Sequence, residues 1–162
     1  MKSNSFDVAI CGAGLNGSLM ALSLVKVGFS VAIIDPLSSS AGAVRKFDGR
    51  AYSIISSSKI MLEKLNIWSD LEGLEQAISS VKISSCSSER GEFPFYVDFD
   101  GDSISEPMGY IIEDRHLRKG IANHLSKFSQ IKFFFSKRVL EIKDVPGSKK
   151  IIMSDKNSIE AR

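Results

Sequence analysis

Residues 6–35 read FDVAICGAGLNGSLMALSLVKVGFSVAIID, and this stretch decides the fold. The apolar run 6–11 is typical of a buried parallel strand, and 29–35 is a second run of the same kind. Between the two runs, apolar residues recur at helical spacing from about Leu15, and Gly28 fits the left-handed position that ends a helix. The stretch therefore predicts a strand, a helix and a second strand beside the first.

Three glycines follow the first predicted strand directly, with the spacing GxGxxG: Gly12, Gly14 and Gly17. Gly12 lets the chain turn sharply, Gly14 lets the backbone approach a pyrophosphate, and Gly17 lets the helix pack closely on the strands. The N–H groups of Leu15 and Asn16 lie at the positive end of the helix dipole and are available to phosphates. This context predicts a nucleotide-binding site, whereas the simpler alternative makes the glycines ordinary turn residues.

Asp35 ends the second predicted strand. A carboxylate at that position can accept hydrogen bonds from ribose hydroxyls, and its charge disfavours a 2′-phosphate. The alternative is that Asp35 only terminates the strand. The glycine motif does not separate FAD from NAD, because both contain the same ADP moiety. A dehydrogenase usually continues with another compact strand–helix unit, but here the serine- and glycine-rich residues 37–50 intervene.

The composition is that of one ordinary globular domain: 162 residues, 43% of them hydrophobic and 25% charged. The net charge is +2 and no basic run occurs, so we expect no nucleic-acid partner. Cys11, expected in the core of the first strand, and Cys86 are interpreted as reduced thiols. His116 and His124 are too far apart on one predicted helix for a metal pair, so no metal site is predicted. No apolar run is long enough to cross a membrane.

The rest of the chain predicts further helices and strands of an α/β protein. Helices are expected after N-capping serines at 56–58 and from Asp114, and strands at 81–85, 93–99, 109–112, 131–135, 139–142 and 150–153. The residues 159–162 look like the opening of another strand, so the chain is expected to stop within a domain. We expect unpaired strand edges near 151–153 and 159–162, and therefore disorder of the last residues or self-association through these late strands.

Four segments, in this order and spacing, resemble the ubiquinone-biosynthesis hydroxylases of the p-hydroxybenzoate-hydroxylase class of FAD-dependent monooxygenases. The segments are DVAICGAGLNG (7–17), SVAIIDP (30–36), DGRAYSI (48–54) with its following helix, and GYIIEDRHL (109–117). The resemblance implies a Rossmann-like FAD-binding βαβ domain that is truncated and carries the beginning of a substrate-covering β-sheet. It assigns residues 1–75 to the first part of the FAD-binding domain, 76–108 to the start of the substrate sheet and 109–162 to the continued FAD-binding domain.

The resemblance also implies roles for individual residues. Arg50 would lie near the flavin and Arg115 near its ribityl–diphosphate region, since a guanidinium offers a fork of donors to phosphate oxygens. The alternatives are an exposed turn arginine and an exposed first-turn arginine, although a cation at a helix N-terminus is unfavourable without a bound anion. Val139 would meet the adenine through its backbone or belong to a core strand. Glu113 and Asp114 are expected to cap and charge a helix start.

The activity implied is hydroxylation of a small aromatic, prenylated substrate in ubiquinone biosynthesis, with FAD as cofactor and NAD(P)H and O₂ as co-substrates. The flavin does the chemistry, so no catalytic side chain is predicted. The two reduced cysteines indicate a cytoplasmic protein, and peripheral association with the inner membrane or a biosynthetic complex is left open. Family members continue through further flavin-binding motifs, so the chain alone is expected to be inactive. An NAD-binding Rossmann dehydrogenase domain and a non-catalytic remnant that binds a partner are the alternatives.

Overall fold

The computed structural model describes residues 4–38, 47–84, 96–100 and 107–162. The helices of this described part are α1 (Leu15–Lys26), α2 (Ser56–Lys64) and α3 (Asp114–Leu125), with a 3₁₀ turn at Trp68–Asp70. The strands are β1 (Ser5–Phe6), β2 (Val8–Cys11), β3 (Val31–Asp35), β4 (Ala51–Ile55), β5 (Glu75–Ile78), β6 (Ser80–Ser84), β7 (Tyr96–Asp100), β8 (Gly109–Glu113), β9 (Ile131–Phe135), β10 (Val139–Val145), β11 (Ser148–Met153) and β12 (Ser158–Ala161). The chain forms two compact units, one of Met1–Asp48 with Arg115–Arg162 and one of Gly49–Asp114.

The first unit is built on a parallel sheet in the order β2-β3-β9. Helix α1 connects β2 to β3, and Ile10 pairs with Ile33, which pairs in turn with Phe133. All five residues of β3 are buried, as expected for a central parallel strand covered on both faces. The strand, helix and strand predicted from residues 6–35 are therefore present.

The first predicted strand is interrupted at Asp7, so the prediction of one continuous strand over 6–11 is wrong. The carboxylate of Asp7 accepts hydrogen bonds from the backbone N–H of Ser30 (2.8 Å) and from its hydroxyl (2.6 Å). The backbone N–H groups of Asp7 and Val8 both donate to the carbonyl of Ser30. These hydrogen bonds turn the chain at Asp7, and Phe6 pairs with Ala161 in a second sheet instead.

Helix α1 ends as the sequence predicts. Gly28 has φ +97°, a left-handed conformation that favours glycine. The N–H of Phe29 donates to the carbonyl of Leu24 (3.1 Å) and that of Gly28 to Val25 (3.0 Å), which is the Schellman arrangement. Because the last carbonyls of the helix are satisfied in this way, the chain can enter β3 immediately.

The second sheet of this unit has the order β1-β12-β11-β10. Its apolar side chains form a buried cluster with Ala32 and Ile34 from β3; the other members are Phe6, Ile151, Met153, Ile159 and Ala161. Strand β11 is paired on both sides, and β12 pairs with β11 and with β1. The prediction of unpaired edges near 151–153 and 159–162 is therefore wrong, because β1 supplies the missing partner. Self-association stays a prediction.

Helix α3 begins at Asp114, as predicted, and packs through the apolar positions that the sequence indicates. Leu117, Ile121 and Leu125 are all buried. The first carboxylate of the helix is also buried, with Asp114 only 1% exposed. A search of the described helices finds none that is both long and apolar enough to cross a membrane.

The second unit contains an antiparallel sheet in the order β4-β8-β5 and a two-stranded antiparallel sheet, β6-β7. Strands β4 and β5 were not predicted from the sequence. The sequence also predicts a turn at Glu89-Arg90-Gly91 that joins the strands at 81–85 and 93–99, and this turn lies outside the described residues.

Helix α2 has Ile55 rather than a serine as its N-cap, and no side chain caps it. The apolar spacing of the sequence predicts a helix that carries Ile60 and Leu62 and extends toward Trp68. In the structure Leu62 is buried in α2, Trp68 is buried in the following 3₁₀ turn, and Ile60 is half exposed.

Candidate nucleotide-binding site

The glycine turn lies at the carboxyl end of β2, where open parallel sheets bind their ligands. Gly12 has φ +113°, which an L side chain rarely adopts, and its N–H donates to the carbonyl of Ile34 (2.8 Å). The chain therefore turns sharply while remaining hydrogen-bonded to the neighbouring strand. This is the conformation that the first glycine of the motif predicts.

Gly17 lies where α1 approaches the turn most closely. A Cβ on Gly17 would be 2.0 Å from the carbonyl oxygen of Gly12 and 3.3 Å from Cγ2 of Ile10. No side chain fits at that distance from a backbone atom. The helix can therefore begin beside the strand only because this position is glycine.

Gly14 faces open space rather than the protein. It is the N-cap of α1, with φ −69° and ψ −178°, and makes no side-chain cap bond. In the described part of the chain, and leaving out its direct neighbours, no heavy atom lies within 4 Å of the position of a Cβ on Gly14. The first turn of α1 carries no acidic side chain, so the positive end of the helix dipole is not offset there. The geometry at Gly14, Leu15 and Asn16 fits an incoming pyrophosphate.

Asp35 holds the glycine turn in place. The residue is 9% exposed, and its Oδ2 accepts a hydrogen bond from the N–H of Ala13 (2.6 Å), while Oδ1 accepts one from the N–H of Leu37 (2.7 Å). A carboxylate has about four lone-pair sites, so two further donors can be accepted. Asp35 can therefore fix the turn and still receive ribose hydroxyls. Sequence reasoning missed the first of these roles.

The connection from β9 to β10 reaches the same end of the sheet. The N–H of Lys137 donates to the carbonyl of Asp35 (3.1 Å), and the N–H of Ser136 donates to the carbonyl of Leu37 (3.0 Å). The backbone after β3 is thus held on one side by the glycine turn and on the other by this connection. Val139 follows, half-buried against the apolar cluster, and pairs with Met153. A contact between Val139 and adenine stays a prediction.

Charged groups stabilise the neighbouring β11–β12 turn. Lys137 Nζ lies 2.7 Å from Asp155 Oδ2. The hydrogen bond from Lys137, with a further one from the Asn157 side chain, lowers the pKa of Asp155 to about 2. At the other end of the parallel sheet, the hydroxyl and backbone N–H of Ser30 lower the pKa of Asp7. Both carboxylates are therefore ionised at neutral pH.

In the second unit, Arg50 forms an ion pair with Asp114. Arg50 Nη2 lies 3.5 Å from Asp114 Oδ2, and the side chains are 43% and 2% exposed, respectively. The N–H of Asp114 also donates to the carbonyl of Arg50 (3.0 Å). The sequence predicted Asp114 as a helix-start residue but did not identify it as the partner of Arg50.

Two other sequence-predicted residues have partners or surroundings that the sequence did not indicate. The guanidinium carbon of Arg115 lies 5.5 Å from the centroid of the Phe47 ring, within cation–π distance. Cys11 is exposed at the end of β2, so its prediction as strand core is wrong. Cys11 is the last residue of β2, where the strand passes into the glycine turn. His116 and His124 both lie on α3, as predicted.

The predicted site residues are thus distributed over both units. The glycine turn with Leu15, Asn16 and Asp35 forms one connected group in the first unit, which also contains Arg115 and Val139. Arg50 belongs to the second unit. Ala13, Leu37 and Lys137 were missed because they act through backbone N–H groups, which leave no signal in the sequence.

Two curated relatives cover nearly the whole chain. Ubiquinone hydroxylase UbiL of Rhodospirillum rubrum is 27% identical over 156 residues, covering 96% of this chain and 35% of the relative. Ubiquinone hydroxylase UbiM of Neisseria meningitidis is 20% identical over 159 residues, covering 96% of this chain and 34% of the relative. The chain therefore spans about a third of the length of these relatives. No protein-family profile matches it.

Solved structures share the fold. p-Nitrophenol 4-monooxygenase PnpA of Pseudomonas putida has a TM-score of 0.74 at 19% identity, covering 97% of this chain and 39% of PnpA. PqsL of Pseudomonas aeruginosa, described as "a probable FAD-dependent monooxygenase", has a TM-score of 0.68 at 15% identity, covering 97% of this chain and 40% of PqsL. These comparisons confirm the resemblance drawn from the sequence: the chain is similar to ubiquinone-biosynthesis hydroxylases over 96% of its length and has the fold of FAD-dependent monooxygenases.

Proposed function

We propose that this chain is the Rossmann-like, FAD-binding part of a flavin-dependent hydroxylase that acts on an aromatic ring in ubiquinone biosynthesis. The observation that carries the proposal is the glycine turn locked by Asp35, in a chain similar to ubiquinone hydroxylases over 96% of its length. A turn alone does not require the open space at Gly14, and Asp35 keeps lone pairs for a ribose in addition to those that fix the turn.

The residues of the first unit would bind the ADP half of the cofactor. The N–H groups of Leu15 and Asn16, at the start of α1, would donate to the pyrophosphate. Asp35 would accept a ribose hydroxyl with the lone pairs that Ala13 and Leu37 leave over. Arg115, exposed in the first turn of α3, would contribute positive charge to the same anion.

When bound, FAD supplies the redox chemistry: it takes two electrons from NAD(P)H and activates O₂. The chain itself would bind and orient the cofactor, so no side chain is proposed as a nucleophile or as a general acid or base. Arg50 would lie beside the flavin in this arrangement. Its fixed fork of donors suits a planar or anionic acceptor better than a lysine would.

The exposed face of the antiparallel pair β6–β7 is evidence for an apolar substrate. Ile83 pairs with Val97 and Val81 with Phe99, so these four side chains share one face. Three of them are well exposed: Ile83 at 56%, Val97 at 52% and Phe99 at 46%. The ion pair Lys82–Asp98 lies on the opposite face. An exposed apolar face of this kind suits a ring with a prenyl tail. Because such a substrate dissolves in lipid, the protein would act at the surface of the inner membrane.

The test is a hydroxylation assay on the complete protein that carries this chain. With NAD(P)H and ¹⁸O₂, a prenylated phenol should gain one labelled oxygen per NAD(P)H oxidised, and denaturation should release FAD. One oxygen atom enters the ring and the other leaves as water, with the two electrons coming from NAD(P)H. A protein that oxidises or reduces nicotinamide without O₂ uptake and contains no flavin would be a dehydrogenase, and the proposal would be wrong.

A further inference from the structure

We propose that Asp114 is a positioning residue for the flavin site, which acts by holding the guanidinium of Arg50 in one orientation. This inference rests on the proposed function, because it assigns a purpose to the Arg50 side chain at a bound flavin. Asp114 itself is not proposed to touch the cofactor. Its influence is exerted through the ion pair.

The backbone brings the two residues opposite each other. In the antiparallel pair β4–β8, Ala51 lies opposite Glu113, and Arg50 and Asp114 are the residues next to these two along the chain. The N–H of Asp114 donates to the carbonyl of Arg50 at 3.0 Å, which fixes both Cα positions. The ion pair therefore only has to restrain the Arg50 side chain.

The two partners differ sharply in their exposure. Asp114 is 2% exposed at its side chain, whereas Arg50 is 43% exposed. A buried carboxylate needs a charged partner, since desolvation of an unpaired charge is costly. Asp114 also begins α3, where the positive end of the helix dipole favours an anion. The carboxylate is thus the buried partner that anchors the pair, and the arginine is its partly exposed partner.

The geometry of the guanidinium allows it to be anchored and to bind at once. The group has five N–H donors in a rigid plane, and a carboxylate engages only one edge of it. The contact runs through Nη2, at 3.5 Å from Asp114 Oδ2. With Nη2 held beside Asp114, the Arg50 side chain samples fewer rotamers, so less rotamer entropy is lost when the flavin binds.

Exposed ion pairs elsewhere in the chain are poor candidates for this role, because solvent screens them. Lys82 and Asp98 also face each other across an antiparallel pair, at 3.2 Å, but their side chains are 69% and 37% exposed. Solvated pairs of this kind restrain little and contribute little. They offer a matched control, because Asp98→Asn makes the same chemical change in a pair without a buried anchor.

The experiment is a double-mutant cycle on the complete protein after removal of its flavin. FAD is titrated back by quenching of its fluorescence into the wild type, Asp114→Asn, Arg50→Gln, the double variant and Asp98→Asn. Thermal unfolding without flavin is measured in parallel. The asparagine keeps the size of the aspartate and can still accept hydrogen bonds at the helix start, but it lacks the charge.

We expect Asp114→Asn and Arg50→Gln each to raise the dissociation constant of FAD about tenfold, and the double variant to be no weaker than the weaker single variant. Asp98→Asn should bind like the wild type. If Asp114→Asn does not fold, Asp114→Glu replaces it in the same cycle, because it keeps the charge but displaces it by one methylene. The affinity should then fall with Arg50 present and stay unchanged in the Arg50→Gln background.

The contrary outcomes separate failure of the inference from failure of the proposed function. Fully multiplicative effects, or an Asp114 variant that unfolds at a lower temperature but binds FAD normally, would reduce Asp114 to a structural residue and refute the inference. Unchanged affinity in Arg50→Gln would also refute it, while flavin binding by the wild type would leave the proposed function intact. A wild-type protein that binds no flavin would overturn both.

Discussion

Replacement of Gly17 by alanine tests the close approach of α1 to the glycine turn. The new Cβ would lie 2.0 Å from the carbonyl oxygen of Gly12, whereas such carbon–oxygen pairs settle at roughly 3.3 Å or more. The obstructing atom is backbone, and its turn is held by the Gly12–Ile34 and Ala13–Asp35 hydrogen bonds. Either the helix or the turn must move by about an ångström to relieve this contact.

The expected cost follows from two opposing effects. Overpacking of this kind costs about 3 kcal/mol when backbone has to move. Alanine in place of glycine within a helix returns about 1 kcal/mol. The net loss in free energy of unfolding is therefore about 2 kcal/mol, and for a chain of 162 residues this lowers Tm by about 4–8 °C.

The assay is thermal unfolding followed by far-ultraviolet circular dichroism. Tryptophan fluorescence is unsuitable here, because Trp68 is the sole tryptophan and lies in the other unit. Gly14→Ala is the matched control: its Cβ enters open space at an ordinary φ of −69°, so stability should stay within about 0.5 kcal/mol of the wild type. An unchanged Tm in Gly17→Ala, or an equal fall in Gly14→Ala, would refute the reasoning.

Three further changes test other contacts. Asp35→Ala removes the acceptor of the Ala13 and Leu37 N–H groups and should lower the free energy of unfolding in urea by about 3 kcal/mol. If Asp35→Ala were destabilised less than Asp35→Asn, this expectation would be contradicted. The folded state lowers the pKa of Asp155 to about 2 from 3.8, so its contribution to stability is complete above about pH 4 and is lost as the pH falls to about 2. Asp155→Asn should reduce this loss of stability between about pH 4 and pH 2. An unaltered loss would exclude the Lys137 contact as its cause. Lys59→Met removes an ammonium 5.2 Å from the Trp68 ring centroid and should destabilise the second unit by about 0.5–1 kcal/mol, measured by tryptophan emission. Unchanged stability would show that this contact contributes nothing.

The sequence predicted those parts of the fold that depend on local pattern. The strand, helix and strand over residues 6–35 follow from periodicity and from the glycines, and the Schellman end of α1 follows from Gly28. The break at Asp7 could not be predicted, because it depends on the hydrogen bonds between Asp7 and Ser30 and on the pairing of Phe6 with β12 at the far end of the chain. Distant pairing likewise removed the unpaired edges that were expected near the C-terminus.

Strands β4 and β5 were missed for a different reason. Residues of β4 alternate between exposed and half-buried positions, and none is fully buried, so the apolar signal of a core strand is weak. Its pairing with β8 nevertheless brings Arg50 opposite Asp114. A sequence pattern identified each of these two charged residues separately but carried no information on their contact.

At the candidate site, residue types that the motif requires were predictable and the backbone contacts were not. Gly12, Gly17 and Asp35 have the conformations or surroundings that their places in the motif imply. The hydrogen bonds from Ala13 and Leu37 to the Asp35 carboxylate come from backbone N–H groups, which every non-proline residue has. Residue type therefore cannot predict them.

The flavin content of the complete protein with Gly14→Val tests most directly whether FAD binds at the glycine turn. The valine would stand in open space in the folded chain but in the path of the pyrophosphate, so it separates binding from folding. We predict that the wild type purifies with about one FAD per chain, and that Gly14→Val unfolds at the same temperature as flavin-free wild type and carries no flavin. A folded Gly14→Val protein with undiminished FAD would contradict the account.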